Sequence, residues 1–154
     1  MQKKCDLYFY NVVDSDRLKF IELFDKNFLH EESKIYSGYL HIAVDRVKLV
    51  SVVRDLRSNG TDCFSVPIEY RDQKNISIDQ ALALAAAYAK TIGASAISSN
   101  RHQKVPPVFW CFDLACRNVA AEKAGGMVMI DRLDGHIWNE SEYEEYFYDY
   151  NNVL

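Results

Sequence analysis

With 154 residues, of which 49% are hydrophobic and 26% charged, the chain is long enough for one hydrophobic core and too apolar to be disordered. The net charge is −4, yet residues 131–154 hold seven acidic residues and one arginine, and the first 130 residues are slightly basic. Negative charge concentrated in this way argues against a nucleic-acid backbone as the partner of the C-terminal segment.

The sequence shows neither a secretion signal nor a membrane-spanning segment. The N-terminal apolar run is interrupted by Asp6, Asn11 and Asp14, and no small-residue cleavage site follows it. No apolar run reaches the roughly 18 residues that indicate a transmembrane helix. Four cysteines lie in apolar contexts that are typical of buried, reduced thiols, namely Cys5, Cys63, Cys111 and Cys116. Together these features predict a cytoplasmic protein.

The first 70 residues predict strands that alternate with helices. Stretches rich in β-branched and aromatic residues indicate strands at 5–13, 34–44 and 61–70. Apolar residues spaced three and four apart indicate helices at 15–29 and 46–60.

Individual residues are expected to begin, bend or end these elements. Asp14 and Asp45 are the predicted N-caps of the two helices, and Gly60 is predicted to end the second helix. Gly38 predicts a bulge or kink in the second strand. Pro67 confines the third strand to a sheet edge or to a strand end, because proline cannot donate a hydrogen bond to a neighbouring strand.

The second half of the chain contains the clearest helix signal. Ser77 and Gln80 form the capping-box pattern in front of an alanine-rich helix, and Gly93 is predicted to end that helix. Two further elements are predicted: a helix at 114–126 capped by Asp113, which follows an apolar stretch at 108–112, and a hairpin at 127–138 that turns at residues 133–136.

Helices and strands mix here without a strict βαβ repeat, and no Gly/Ser/Pro-rich linker divides the chain. Such an element order is typical of an α+β fold, in which helices cover an antiparallel sheet. We therefore predict a single globular domain over residues 1–154, with about five helices packed on a mostly antiparallel sheet.

The C-terminal segment ESEYEEYFYDYNNVL is predicted to be a helix with two chemically different sides. Asn139 or Ser141 can cap it, because a glutamate follows each of them at the capping-box spacing. One side is aromatic and comprises Tyr143, Tyr146, Phe147 and Tyr150. The other is acidic and comprises Glu142, Glu145 and Asp149, while Glu144 and Tyr148 share a flank.

Two interpretations of this helix are compatible with each other. A periodic aromatic side normally packs on the body of a domain, and the helix dipole favours carboxylates in a first turn. Packing leaves the concentration of negative charge unexplained, whereas tyrosines beside carboxylates suit an interface with a basic protein. The predicted partner-binding residues are Asp131, Asp134, Glu142, Glu144, Glu145, Tyr148 and Asp149.

No familiar catalytic or cofactor-binding motif occurs in the sequence, which lacks the Walker, dinucleotide-binding, GxSxG and HExxH patterns. Cys111 and Cys116 stand five positions apart, outside the spacing of zinc-binding pairs. No catalytic residue, metal site or cofactor is therefore predicted. Two alternatives stay open: a couple formed by Cys63 and His41, and an anion-binding loop formed by Ser98, Ser99, Arg101, His102 and Lys104.

The ending GGMVMIDRLDGHIWNESEYEEYFYDYNN and the overall size resemble bacterial toxin-immunity proteins, particularly those of contact-dependent growth-inhibition systems. The resemblance concerns general character, so no site residues are transferred from that family. It implies a cytoplasmic protein that binds one cognate toxin domain, often a nuclease, and blocks its active site or substrate groove. Such a protein neutralises its partner stoichiometrically and is not an enzyme.

Two other classes of function stay open. A small cytoplasmic enzyme would use a cysteine or a histidine in a cleft between sheet and helices, and would show convergent polar groups with shifted pKa values. A general protein-interaction domain would share the acidic surface and differ only in the partner that it binds.

Overall fold

The structure is a computed structural model that describes residues 3–28, 31, 34–98, 105–116 and 126–152. The chain divides into two compact units. Unit 1 comprises Met1–Asp72 together with Glu140–Leu154, and unit 2 comprises Gln73–Asn139. Unit 2 therefore interrupts the sequence of unit 1. A single domain over residues 1–154 stays a prediction.

Both units contain strands and helices. The strands are β1 (Lys4–Asp14), β2 (Ile35–Tyr39), β3 (Val44–Asp45), β4 (Cys63–Pro67), β5 (Ala94–Ile97), β6 (Phe109–Cys116) and β7 (Met127–Asp131). The helices are a 3₁₀ helix (Ser15–Leu23), α1 (Arg46–Ser58), α2 (Ile68–Asp72), α3 (Ile78–Thr91) and α4 (Glu140–Glu145), which continues as a π-helical turn (Tyr146–Tyr150). We refer to residues 140–150 as the terminal helix.

The predicted fold class is confirmed. Among the described residues, five helices accompany two antiparallel sheets, which is an α+β arrangement. In the same part of the chain, no helix has the length and the apolar character that crossing a bilayer requires.

Strand β1 organises the sheet of unit 1, because it pairs antiparallel with three other strands. Strands β2 and β3 lie along one side of it, and β4 lies along the other with Leu7 opposite Ser65. The register with β2 shifts between Phe9 and Val13, which marks a bulge in β1.

The core of unit 1 lies between this sheet and α1. Alternate residues of β1 (Cys5, Leu7 and Phe9) point to the same face and are fully or almost fully buried. The buried stripe of α1 consists of Leu49, Val52, Val53 and Leu56, at the spacing of one helix face. Burying one such side chain contributes roughly 1.5–3 kcal/mol, so the stripe holds α1 on the sheet.

The opposite face of β1 carries a buried charge, Asp6. Its Oδ1 accepts hydrogen bonds from the backbone N–H groups of Leu7 (2.7 Å) and Ile42 (3.1 Å). Its Oδ2 accepts from the His41 N–H (3.0 Å) and from the Arg71 guanidinium (3.0 Å). These four donors compensate the loss of water around the carboxylate and fasten the loop after β2 to the sheet.

Unit 2 is a three-stranded antiparallel sheet in the order β5-β6-β7, with α3 packed on one face. Small Ala81 and Ala85 of the helix allow close approach to Phe112, Val128 and Ile130 of the sheet. The predicted capping box is confirmed, since the Ser77 Oγ accepts from the Gln80 N–H (3.1 Å) and the Gln80 side chain accepts from the Ser77 N–H (2.9 Å).

Several predicted boundaries are wrong in unit 1. The helix expected at 15–29 is a 3₁₀ helix that ends at Leu23. The strand expected to run to residue 44 stops at Tyr39, and His41 follows with a positive φ of 66°. The strand expected at 61–70 ends at Pro67, where the chain turns directly into α2.

Neither predicted aspartate cap forms a side-chain cap hydrogen bond. The Asp45 carboxylate instead pairs with Lys4 on the neighbouring strand, at 2.8 Å. Because sheet pairing brings Lys4 close, the Asp45 carboxylate forms a salt bridge with it and does not accept from a backbone N–H of α1.

The helix predicted at 114–126 is wrong over its first part. Residues from Asp113 to Cys116 continue β6, and Asp113 lies opposite both Ile97 of β5 and Met127 of β7. A central strand has partners on both sides, and these non-local hydrogen bonds outweigh local helix propensity. The rest of the predicted helix, 117–125, lies outside the described residues.

Candidate functional site

The terminal helix is anchored to the outer edge of β4. The buried Tyr146 hydroxyl donates to the Ser65 carbonyl (2.6 Å), and the Asn151 side-chain oxygen accepts from the Ser65 N–H (2.7 Å). Asn151 also donates to the Tyr146 carbonyl at 3.2 Å. Arg57 of α1 donates twice to the Cys63 carbonyl, at 3.0 and 2.7 Å. These side chains thus bind backbone N–H and C=O groups of β4 that an unpaired edge strand would expose to another chain.

The aromatic side of the terminal helix packs on unit 1, as the structural interpretation of the sequence predicts. Tyr146 is 4% exposed, and its ring stacks on Tyr150 with 5.6 Å between the ring centroids. The Phe147 ring packs edge-on against Phe64 of β4, with 6.1 Å between the ring centroids. It also contacts the tilted ring of Tyr143, with 4.4 Å between the centroids. These contacts fix the rotation of the helix about its axis, so they decide which side chains face outward.

The outward side carries four of the predicted partner-binding residues. Glu144, Glu145 and Asp149 are exposed, and the Tyr148 side chain is 54% exposed. Together with Ser141 they line an open depression of about 410 Å³ along the helix. We call these five residues the acidic groove. Glu142 is half-buried and lies outside this lining.

The charge of the acidic groove is not compensated within the described part of the chain. There, the carboxylates of Glu144, Glu145 and Asp149 form no salt bridge. Arg46 does reach the terminal helix, but its Nη1 donates to the backbone oxygen of Asp149 (2.9 Å), and its guanidinium lies over the Tyr150 ring. Three carboxylates on about two turns of helix therefore repel one another until a cation approaches.

Asp131 does not belong to an exposed surface, which corrects the prediction for this residue. It is 3% exposed, at the end of β7. Its Oδ1 accepts from the backbone N–H groups of Leu133 (2.8 Å) and Asp134 (3.4 Å), and its Oδ2 accepts from the Trp138 indole (2.8 Å). Asp131 therefore closes the predicted hairpin turn, and both of its oxygens are engaged there.

Asp134 is exposed but belongs to unit 2, whereas the acidic groove belongs to unit 1. Partial burial raises its pKa, but the His136 backbone N–H and imidazole bind the carboxylate and bring the pKa below its usual range. The ring Nδ1 lies 2.5 Å from the Asp134 Oδ1. Asp131, Asp134 and His136 bring possible metal ligands within 4.8 Å of one another, but these hydrogen bonds already account for the cluster.

The cysteines described here do not resemble activated nucleophiles. Cys5 and Cys63 have no exposed surface, and burial raises their pKa values to about 11 and about 12. Burial likewise raises the pKa of Cys111 to about 11. A catalytic thiol requires a lowered pKa and access to substrate, so Cys63 is a poor partner for the exposed His41.

The alternative anion-binding loop falls almost entirely outside the described residues; only Ser98 is described, and it is exposed. Sequence reasoning missed Ser141 as a lining residue, although its i, i+4 spacing to Glu145 would have placed it on the same side. It also missed Asn151, whose role depends on the distant Ser65 and leaves no local signal.

Comparisons of the chain with protein-family models, with curated proteins and with solved structures give no significant match.

Proposed function

We propose that the chain is an immunity protein of the contact-dependent growth-inhibition type, which acts in the cytoplasm and neutralises a cognate, basic, nuclease-type toxin domain. One observation carries the proposal. The carboxylates of Glu144, Glu145 and Asp149 are exposed and lack salt bridges among the described residues, and they lie beside a half-exposed tyrosine ring on a firmly anchored helix.

Electrostatics support this kind of partner. Nuclease grooves are lined with Lys and Arg because they bind phosphates, and a row of carboxylates presents charge of the same sign as the nucleic-acid backbone. Charge complementarity raises the rate of encounter, and Tyr148 adds an amphipathic ring that can be buried on contact.

Rigidity supports it as well. Tyr146 and Asn151 hold the terminal helix through buried hydrogen bonds, so the groove needs little ordering when a partner binds. A surface that is already ordered loses less conformational entropy on association, which favours tight, stoichiometric binding.

The test compares two triple variants with equal changes of net charge. In the first, Glu144→Lys, Glu145→Lys and Asp149→Lys reverse the acidic groove. The wild type should protect cells that express a toxin domain encoded beside this gene, and the variant should lose protection because like charges now face a basic partner. Purified proteins should show association at least about tenfold slower for the variant at low salt.

The control variant carries Asp14→Lys, Asp55→Lys and Asp79→Lys on other exposed surfaces. It should protect cells and associate within about twofold of the wild type, since the groove is intact. Equal losses in both variants would mean that net charge alone matters, and a wild type that fails to protect would reject the immunity function. Retained binding of basic proteins without protection would favour a general interaction domain.

A further inference from the structure

The acidic groove combines two chemistries that one kind of side chain can satisfy together. Tyr148 offers an exposed ring face, and Glu144, one helical turn before it, offers a carboxylate on the same flank. Glu145 and Asp149 border the same depression with two more carboxylates. A planar guanidinium can stack on a ring while its nitrogens donate to carboxylates, whereas the compact lysine ammonium binds as a point charge.

Elsewhere in unit 1, two arginines combine a ring contact with a hydrogen bond to a backbone carbonyl. The Arg46 guanidinium lies 5.3 Å from the Tyr150 ring centroid while it donates to the Asp149 carbonyl at 2.9 Å. The Arg57 guanidinium lies 4.6 Å from the Phe64 centroid while it donates to the Cys63 carbonyl.

Unit 2 repeats the arrangement, because Arg132 lies 3.7 Å from the Trp110 centroid while it donates to the Phe109 carbonyl at 3.1 Å. Arginine thus makes three of the four cation–ring contacts among the described residues, and Lys34 over Tyr36 makes the fourth.

We propose that the acidic groove binds an arginine side chain of its protein partner, with the guanidinium stacked on Tyr148 and hydrogen-bonded to the groove carboxylates. This inference rests on the proposed function, since it names the residue by which a basic partner is held. The groove supplies matched charge, a tyrosine ring that is about half exposed and a depression open to solvent.

The test uses nona-arginine and nona-lysine peptides as probes, titrated at low salt against the full chain. Both carry the same charge, so a difference in affinity reports guanidinium recognition. We expect the wild type to bind nona-arginine roughly two- to fivefold more tightly, the amount that an exposed cation–π contact contributes. Tyr148→Phe should keep this preference and Tyr148→Leu should abolish it, because only leucine removes the ring.

The outcomes separate this inference from the function on which it rests. Equal affinities for the two peptides, or a preference that survives in Tyr148→Leu, would overturn arginine recognition and leave a basic partner in place. Failure of both peptides to bind would overturn the acidic groove as a cationic docking surface, and with it the proposed function. Far-ultraviolet circular dichroism of each variant checks that the fold is retained, which is expected because Tyr148 is half-exposed.

Discussion

Asp131 and Asp149 belong to the same acidic segment of the sequence but lie in different surroundings. The Asp131 carboxylate is buried and accepts three hydrogen bonds within its own hairpin, whereas Asp149 is exposed as part of the acidic groove. A residue's type therefore does not decide its role. Burial and the number of nearby donors decide whether a carboxylate supports the fold or faces solvent.

The buried thiols yield a prediction about pH. The folded-state pKa values of Cys5 and Cys63, about 11 and about 12, lie above the ordinary value of 9.0, so the folded state keeps protons that the unfolded state releases. Their contribution to stability is complete below pH 9 and is lost as the pH rises through the folded-state pKa values. Urea unfolding at pH 8 and pH 10.5 should show lower stability at the higher pH.

A Cys5→Ser, Cys63→Ser variant serves as the control, with a smaller loss between these two pH values because both thiols are absent. In the wild type, Cys5 and Cys63 should also resist alkylation by iodoacetamide at pH 8 until urea unfolds the protein. Rapid alkylation of Cys63 in the folded state would contradict the burial seen here and would revive the enzyme alternative.

At the scale of the element, the terminal helix has the two chemically different sides that its sequence predicts. Its aromatic side closes the edge of β4, and its opposite side presents carboxylates to solvent. The two roles depend on each other, because the packed side fixes the orientation of the exposed one. Local residues are sufficient for other elements, as in α3, which Ser77 and Gln80 cap through two hydrogen bonds between residues three positions apart.

The anchoring role predicts a stability difference between two similar substitutions. Tyr146→Phe removes the hydroxyl that donates to the Ser65 carbonyl and leaves that buried oxygen without this donor. The cost should be about 1–3 kcal/mol in the free energy of unfolding. Tyr148→Phe, at a half-exposed ring, should change stability by less than about 0.5 kcal/mol. Urea denaturation followed by circular dichroism measures both, and equal effects would contradict the anchoring.

For the whole molecule, the uneven distribution of charge matters more than its sum. The net charge is only −4, but most of the acidic excess gathers near the C-terminus, where the groove carboxylates remain exposed. A long-range field of this kind acts on the approach of a partner, and salt screens it with a Debye length of about 10 Å at 0.1 M.

Association with a basic toxin domain should therefore slow by at least about tenfold between 50 and 500 mM salt. Stopped-flow fluorescence can measure this rate. The variant with Glu144→Lys, Glu145→Lys and Asp149→Lys should lose most of the salt dependence, and the control variant with lysines at Asp14, Asp55 and Asp79 should retain it. A salt-independent rate for the wild type would show that the groove does not steer the encounter.

The sequence by itself determined the elements whose signals are local. Hydrophobic spacing identified α1, the Ser77 capping box identified α3, and residues spaced three and four apart identified the two sides of the terminal helix. These features depend on neighbours within a few residues, so their physics is contained in a short stretch of sequence.

Only the tertiary structure decided the rest. It extended β6 through Cys116 by pairing it with β5, and it made Asp131 a buried hydrogen-bond acceptor. It also brought Asn151 into hydrogen-bond contact with Ser65 of β4, 86 residues away in sequence. It also decided that Glu144, Glu145 and Asp149 stay exposed. Strand pairing and burial join residues that are distant in the chain, and such contacts leave no periodic signal in the sequence around either partner.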